Sequence, residues 1–279
     1  MWLSFFSKNG QSIQEGYVTL NMIVIKKERR RQALGTALGK WTKHKLLLKE
    51  KKLVPYLPAT KLLSEATFTK YLNRYGEAII KPNRGSFGYG VFKVTDMGND
   101  CFEIHGANRK EIFTGKKLAY DTIIKNINKR KMIIQRVIPL AKKDGHPFDI
   151  RVMVQRRKNT SNWVVTGKLA KVAGNGFFIT NAAREVLTVE EAIQKSTIEL
   201  QNQEIKNMMD ELERVSILIG ETLQKYYPKR HEMGIDMGID DEGHLWIIEV
   251  NLRPSISMFS LLRDKSMLKQ IRQFRKKNS

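Results

Sequence analysis

The chain has 279 residues, with 50 Lys and Arg against 28 Asp and Glu, and so a formal net charge of +22. Its mean hydropathy is −0.40, and 41% of its residues are hydrophobic, which excludes a disordered chain. No apolar run approaches the roughly 18–20 residues of a bilayer span. The opening stretch Met1–Phe6 has no basic run ahead of it, so no secretory signal is expected. A single cysteine, Cys101, excludes an internal disulfide and any cysteine-based zinc or iron–sulfur site. Together these point to a cytoplasmic chain.

Charge is concentrated at two places. Between Lys26 and Lys52 eleven Lys and Arg face two Glu, and between Leu261 and Ser279 seven face one Asp. A polyanionic partner therefore has to be considered. Nucleic acid is disfavoured, because stacking aromatics at regular spacing and recognition motifs are both missing. An acidic protein or polymer suits the same charge.

In chain order, Tyr17–Ile25 reads as a buried strand and residues 29–52 as a basic helix, broken by Pro55 and Pro58. A helix is predicted over Glu65–Tyr75, ending at Gly76. A strand over Glu77–Lys81, a glycine segment to Gly90 and a strand over Val91–Val94 follow. Cys101–His105 and Lys110–Thr114 read as a hairpin, Lys117–Asn128 as a helix and Lys131–Ile138 as a strand. Phe148–Arg157 and Trp163–Val172 read as paired strands. Thr188 with Glu191 reads as a capping box, and residues 201–226 as a long amphipathic helix. Met233–Asp240 and His244–Val250 form the last hairpin, ahead of a basic helix from Arg263. Irregular alternation with several hairpins predicts an α+β fold with largely antiparallel sheets. The expected segments are 1–55, a short basic N-terminal stretch; 56–138 and 139–260, two subdomains; and 261–279, a basic C-terminal helix.

Three patterns carry chemistry. If the last hairpin turns on Glu242-Gly243, Asp236 faces Glu249 across the strands, and Asn251 shares their face. Two carboxylates facing each other in an apolar sheet need a positive group between them. Magnesium fits, since it takes hard oxygen ligands, and so does a basic side chain such as Arg253. In the second pattern, Lys81 ends an apolar strand and is followed by Gly85, Gly88 and Gly90. This is neither a Walker A nor a G-x-G-x-x-G loop. It is either a flap over a nucleotide or a plain hairpin turn with a snorkelling lysine. In the third, Phe148–Gln155 sets Asp149, Arg151, Met153 and Gln155 on one face, and a four-residue turn puts Arg151 opposite Lys168, with Lys171 further on. Facing cations call for a phosphate or carboxylate between them, unless that face is solvated. Gln135, within an apolar strand, is either a satisfied core amide or a hydrogen-bonding partner for an adenine edge.

Taken in order, these segments resemble the ATP-grasp superfamily and, within it, the YheC/YheD branch of endospore coat-associated proteins. The resemblance runs from about Lys40 to Pro254. It is carried by KW at 40–41, LPAT at 57–60, KPNRGSFGYGVFKV, QRVI before a proline, DIRVMVQ, WVVTG at 163–167, and GID followed by EVNLRPS. It implies two α+β subdomains gripping Mg·ATP. On this basis Lys81 and the earlier Lys40 bind the ATP phosphates, and Gly85, Ser86, Phe87, Gly88 and Gly90 form the flap. Gln135, Arg136, Val137 and Ile138 line the adenine pocket, and Lys171 and Asn181 complete the nucleotide contacts. Asp236, Glu249 and Asn251 match the magnesium ligands. Lys81, Arg151 and Arg253 match the catalytic positions near the γ-phosphate or substrate. Two features depart from the family: the segment ahead of the match is short, and Ala-Ala-Arg replaces a glycine-rich run after Asn181.

The implied activity is an ATP-dependent carboxylate–amine ligase working through an acylphosphate, with carboxylate and amine substrates that the sequence does not name. The alternative is a non-catalytic, spore-associated assembly protein that keeps the fold and binds a polyanion.

Overall fold

A computed structural model describes residues 39–85, 88–106, 109–127, 130–178, 180 and 183–278. The expected strand Tyr17–Ile25, the first part of the predicted basic helix, Ser86, Phe87 and Asn181 lie outside the described residues. The remainder of that helix is shorter than its charge pattern suggests. Helix α1, Lys40–Leu47, gives way to a 3-10 segment over Lys51–Tyr56. Pro55 sits inside that tighter turn, where the lost backbone donor costs less than in an α-helix.

A first six-stranded sheet is built from β1 (Thr60–Leu62), β2 (Glu77–Pro82), β3 (Phe92–Gly98), β4 (Cys101–Gly106), β5 (Arg109–Thr114) and β6 (Met132–Arg136). Its order is β1-β6-β2-β3-β4-β5, and every neighbouring pair is antiparallel. Helix α2, Glu65–Tyr75, matches its predicted bounds and opens on a box made by Ser64 and Thr67. With α3, Lys116–Asn126, it packs Phe68, Leu72, Ala119 and Ile123 onto Ile80, Val94 and Ile134 of the sheet.

The second sheet contains β7 (Lys142–Lys143), β8 (His146–Arg156), β9 (Trp163–Ala173), β10 (Ala183–Leu187), β11 (Glu232–Ile239) and β12 (Leu245–Asn251). Its order is β10-β9-β8-β11-β12, with β7 against β8. Helix α4, Val189–Gln194, has the predicted Thr188–Glu191 box, and α5, Asn202–Gln224, is the long amphipathic helix. Their apolar stripe, including Ile193, Leu212, Val215 and Ile219, joins Ile150, Val152, Val154 and Trp163 in the larger core. The opposite face of the sheet, at Met153 and Leu169, is covered by Phe259, Leu268 and Ile271. The last two belong to the basic helix α6, Ser266–Lys277. No helix among the described residues is long and apolar enough to cross a membrane.

Two registers differ from those the sequence predicts. The last hairpin turns through three residues, Asp241-Glu242-Gly243, with Gly243 at φ +81° and Ile239 opposite Leu245. Asp240 locks this turn by accepting from the backbone N–H groups of Glu242 and His244 and from Trp246 Nε1. A bulge then adds one residue on β12, so Asp236 still pairs with Glu249. In β8–β9 a bulge next to Met153 moves Arg151 opposite Leu169, and Lys171 faces Asp149. The predicted Arg151–Lys168 pair does not exist. Lys168 instead reaches Glu213 on α5.

Candidate functional site

The site begins with a seat for α1. Asn83, just after β2, accepts from the Lys40 backbone N–H through its own carbonyl at 2.7 Å and from that of Trp41 through Oδ1 at 2.9 Å. Gly39 permits this approach, since a Cβ there would lie 2.4 Å from Asn83 Oδ1. Asn83 therefore holds the amino end of α1 against the end of β2, where Lys81 stands.

Three lysines then reach three consecutive residues of β12. Lys81 Nζ donates to the carbonyl of Ile248 at 3.4 Å, Lys40 Nζ lies 3.1 Å from Glu249 Oε1, and Lys43 donates to the carbonyl of Val250. Ile248 is the extra residue of the bulge, where the β11–β12 ladder is interrupted. Lys40 also donates to Gly85 O at 2.8 Å, which ties the glycine segment to the same point. Gly85, Gly88 and Gly90 all have positive φ, at 142°, 70° and 72°.

Burial dominates the electrostatics of this cluster. It pushes the Lys81 ammonium down to about 8, against the partial support of Glu249. Burial likewise lowers Lys43, and it lowers His44 to about 4 with help from Lys81 and Lys61. Gln135 is a satisfied core amide: its Oε1 accepts from Lys81 at 2.8 Å and its Nε2 donates to Thr60 Oγ1 at 2.9 Å. Arg136 is exposed and lies 5.5 Å over the Trp246 ring. Val137 and Ile138 are half-buried on the crossing from β6 towards the second sheet.

Across the sheet, Arg151, Asp236 and Glu249 pair in a row on β8, β11 and β12. Asp236 receives Arg151 Nε at 2.8 Å and Nη2 at 2.9 Å, Lys171 Nζ at 3.2 Å and Asn251 Nδ2 at 3.0 Å. Burial alone would raise this carboxyl, but Arg151 and Lys171 outweigh it and hold it well below the usual carboxylate range. Lys171 also lies 2.9 Å from Asp149, whose carboxyl burial pushes up. Arg253 is exposed and outside this cluster, so it does not neutralise Glu249. Lys40 does that instead.

The donor chemistry suits a hard divalent cation at Glu249 and Asn251. Glu249 is partnered by Lys40 alone among the described residues, and Asn251 keeps its carbonyl oxygen after donating to Asp236. Asp236 is different, because four donors occupy its roughly four lone-pair positions. In this arrangement it orients Asn251. Among the described residues no group of three or more His, Cys, Asp or Glu side chains gathers to hold a metal.

Lys43, Asn83 and Gly39 carry no signal in the sequence pattern. Lys43 sits in the basic run as one charge among eleven, and only its burial singles it out.

Two antiparallel sheets, with Lys81 of the first sheet and the α1 lysines meeting on a carboxylate strand of the second, define an ATP-grasp fold. The same fold is found in D-alanyl-alanine synthetase A from Vibrio cholerae O1 biovar eltor str. N16961. That likeness has a TM-score of 0.50 at 13% identity and covers 85% of this chain and 60% of that one. The family profile described as YheC/D like ATP-grasp matches residues 34–275, and the chain belongs to that family. It is 26% identical over 233 residues to the endospore coat-associated protein YheD of Bacillus subtilis (strain 168), covering 81% of this chain and 50% of that protein. It is 22% identical over 237 residues to YheC of the same strain, covering 82% of this chain and 64% of that one. The chain thus spans half to two thirds of the length of these relatives.

Proposed function

We propose that the protein binds Mg·ATP at the meeting of α1, β2 and β12 and works as an ATP-dependent carboxylate–amine ligase. The observation that carries this reading is the convergence of Lys40, Lys43 and Lys81 on the Ile248–Val250 stretch of β12, beside Glu249 and Asn251. Buried lysines on backbone carbonyls form an anion site as soon as phosphate oxygens compete for them. Glu249 and Asn251 would hold magnesium, which supplies charge neutralisation for phosphoryl transfer.

In the proposed reaction, the substrate carboxylate takes the γ-phosphoryl group of ATP, giving an acylphosphate and ADP. The amine then attacks the acyl carbon, an amide bond forms, phosphate leaves and the amine proton is released. Lys81 and Lys40 orient phosphate oxygens, and the Gly85–Gly90 segment, tied to Lys40, covers them. Arg151, held bidentately by Asp236, is fixed beside the site where charge develops. Phosphoryl transfer of this kind needs positioning and charge neutralisation but no protein nucleophile.

Hydroxylamine tests this reading as a surrogate amine. With Mg·ATP and a panel of carboxylic acids, the reading expects ADP and hydroxamate in equal amounts for at least one acid. Mg·ATP binding without hydroxamate for any acid would favour a second reading, a coat-associated assembly protein that keeps the site without turnover. Two observations favour that alternative: both relatives are named as endospore coat-associated proteins, and cations already neutralise Asp236 and Glu249. Spore association is part of either proposal.

A further inference from the structure

A second cluster of charge lies where β12 ends. Lys229, Arg230 and His231, Glu232 at the start of β11, Arg253 after β12, and Arg275 of α6 line a pocket of about 240 Å³. That is below the roughly 300–1,000 Å³ of drug-sized sites, with room for one acidic residue and not for a nucleotide. Glu232, the one carboxylate lining the pocket among the described residues, is taken by the Arg275 fork at 2.8 and 3.0 Å. Arg275 also donates to Pro254 O at 2.9 Å, which fixes the exit of β12. Among the described residues Lys229, Arg230 and Arg253 make no salt bridge. Arg230 is lowered by burial and then by the charge of Arg253, which also lines the pocket, against partial support from Glu232. Crowded cations of this kind are relieved by an anion, and the guanidinium fork suits a carboxylate.

We propose that this pocket holds an acidic group of the acceptor, so that the substrate is an acidic peptide or polymer carrying at least two carboxylates. This rests on the ligase reading above. One carboxylate would be activated beside Asn251, and the second would be bound by Arg230 and Arg253. Arg253 follows Asn251 by two residues, where the chain bends out of β12, so the pocket adjoins the end of the strand that carries Asn251. Neighbouring acids of one peptide would then present a carboxylate to each place.

The test uses fluorescein-labelled tetraglutamate at high salt. It compares the wild type, the Lys229→Gln/Arg230→Gln variant, and a control, Lys269→Gln/Arg272→Gln, that removes the same charge from the exposed face of α6. The pocket variant should bind the peptide on the order of tenfold more weakly and the control like wild type. Both should keep the thermal shift produced by Mg·ATP. Equal losses in the two variants, or no loss in either, would overturn the proposal. Complete displacement of the peptide by an equal concentration of pyrophosphate would overturn the carboxylate assignment. If wild type lacks the Mg·ATP shift, the ligase reading fails. A tenfold loss in the pocket variant then leaves an acid-binding pocket and overturns its role as an acceptor site.

Discussion

Lys81 shows how much a single residue owes to its surroundings. Its ammonium is buried, bonded to Gln135 and Ile248, and pushed down to about 8. In the folded protein it therefore gives up its proton at lower pH than in the unfolded chain. This penalty on stability applies in full below about 8 and is relieved as pH rises from there towards the ordinary lysine value of 10.5. Removing the group in Lys81→Met should flatten that part of the stability–pH curve, as measured by denaturant unfolding. Phosphate oxygens would favour the ammonium again, so nucleotide binding at pH 9 should take up about one proton, an uptake lost in Lys81→Met. Calorimetry in buffers of different ionisation enthalpy measures this, and zero uptake by wild type would contradict phosphate contact at Lys81. Glu249 makes the complementary prediction. Glu249→Gln should fold normally and lose the magnesium-dependent part of nucleotide binding, read by titration with and without chelator. Asp236 has the opposite balance: Arg151→Met leaves its buried charge to Lys171 and Asn251. That variant should be destabilised by about 3 kcal/mol, the low end of the cost of breaking a buried pair, because Lys171 still holds the carboxylate. Unchanged stability would mean that Arg151 does not support Asp236.

The elements explain which parts of the site were legible in the sequence. The alternation on the last hairpin put Asp236 opposite Glu249, and that pairing is present. Strand alternation alone implies a two-residue turn, whereas Asp240 builds a three-residue one and the bulge at Ile248 restores the register. Two offsets cancelled there. In β8–β9 a single bulge has no compensating offset, so Leu169 takes the place expected for Lys168 opposite Arg151 and Lys171 faces Asp149. Bulges follow from packing against neighbouring elements, and alternation has no term for them. The α1 seat was illegible for a related reason, since Asn83 acts on Lys40 and Trp41 over a sequence separation of more than 40 residues. Gly39→Ala places a methyl group against the Asn83 amide. It should cost about 1–3 kcal/mol and weaken Mg·ATP binding, because Lys40 moves with the helix. Thermal unfolding with and without ligand tests this, and a variant indistinguishable from wild type in both would remove the seat from the account.

At the scale of the whole molecule, charge is the feature most easily over-read. A chain carrying +22 attracts any polyanion, so simple retention of nucleotide says little about a site. The arrangement described here is more specific. It uses lysines that are mostly buried, reach β12 from α1 and from β2, and leave Glu249 and Asn251 for a cation. The longer strands of both sheets are legible as apolar runs, whereas the short β1, β7 and β10 are not, and the meeting at β12 depends on Lys43 and on a bulge, neither of which leaves a mark in composition. The central claim is a magnesium-dependent nucleotide site, and its most direct test is the thermal midpoint at high salt with Mg·ATP, with ATP plus chelator, and with tripolyphosphate. Ligand at 100 times its Kd stabilises by about 2.7 kcal/mol, on the order of 5–10 °C at this size. The account predicts that shift for Mg·ATP and much smaller ones for the other two. Equal shifts for all three, or none for Mg·ATP, would contradict it.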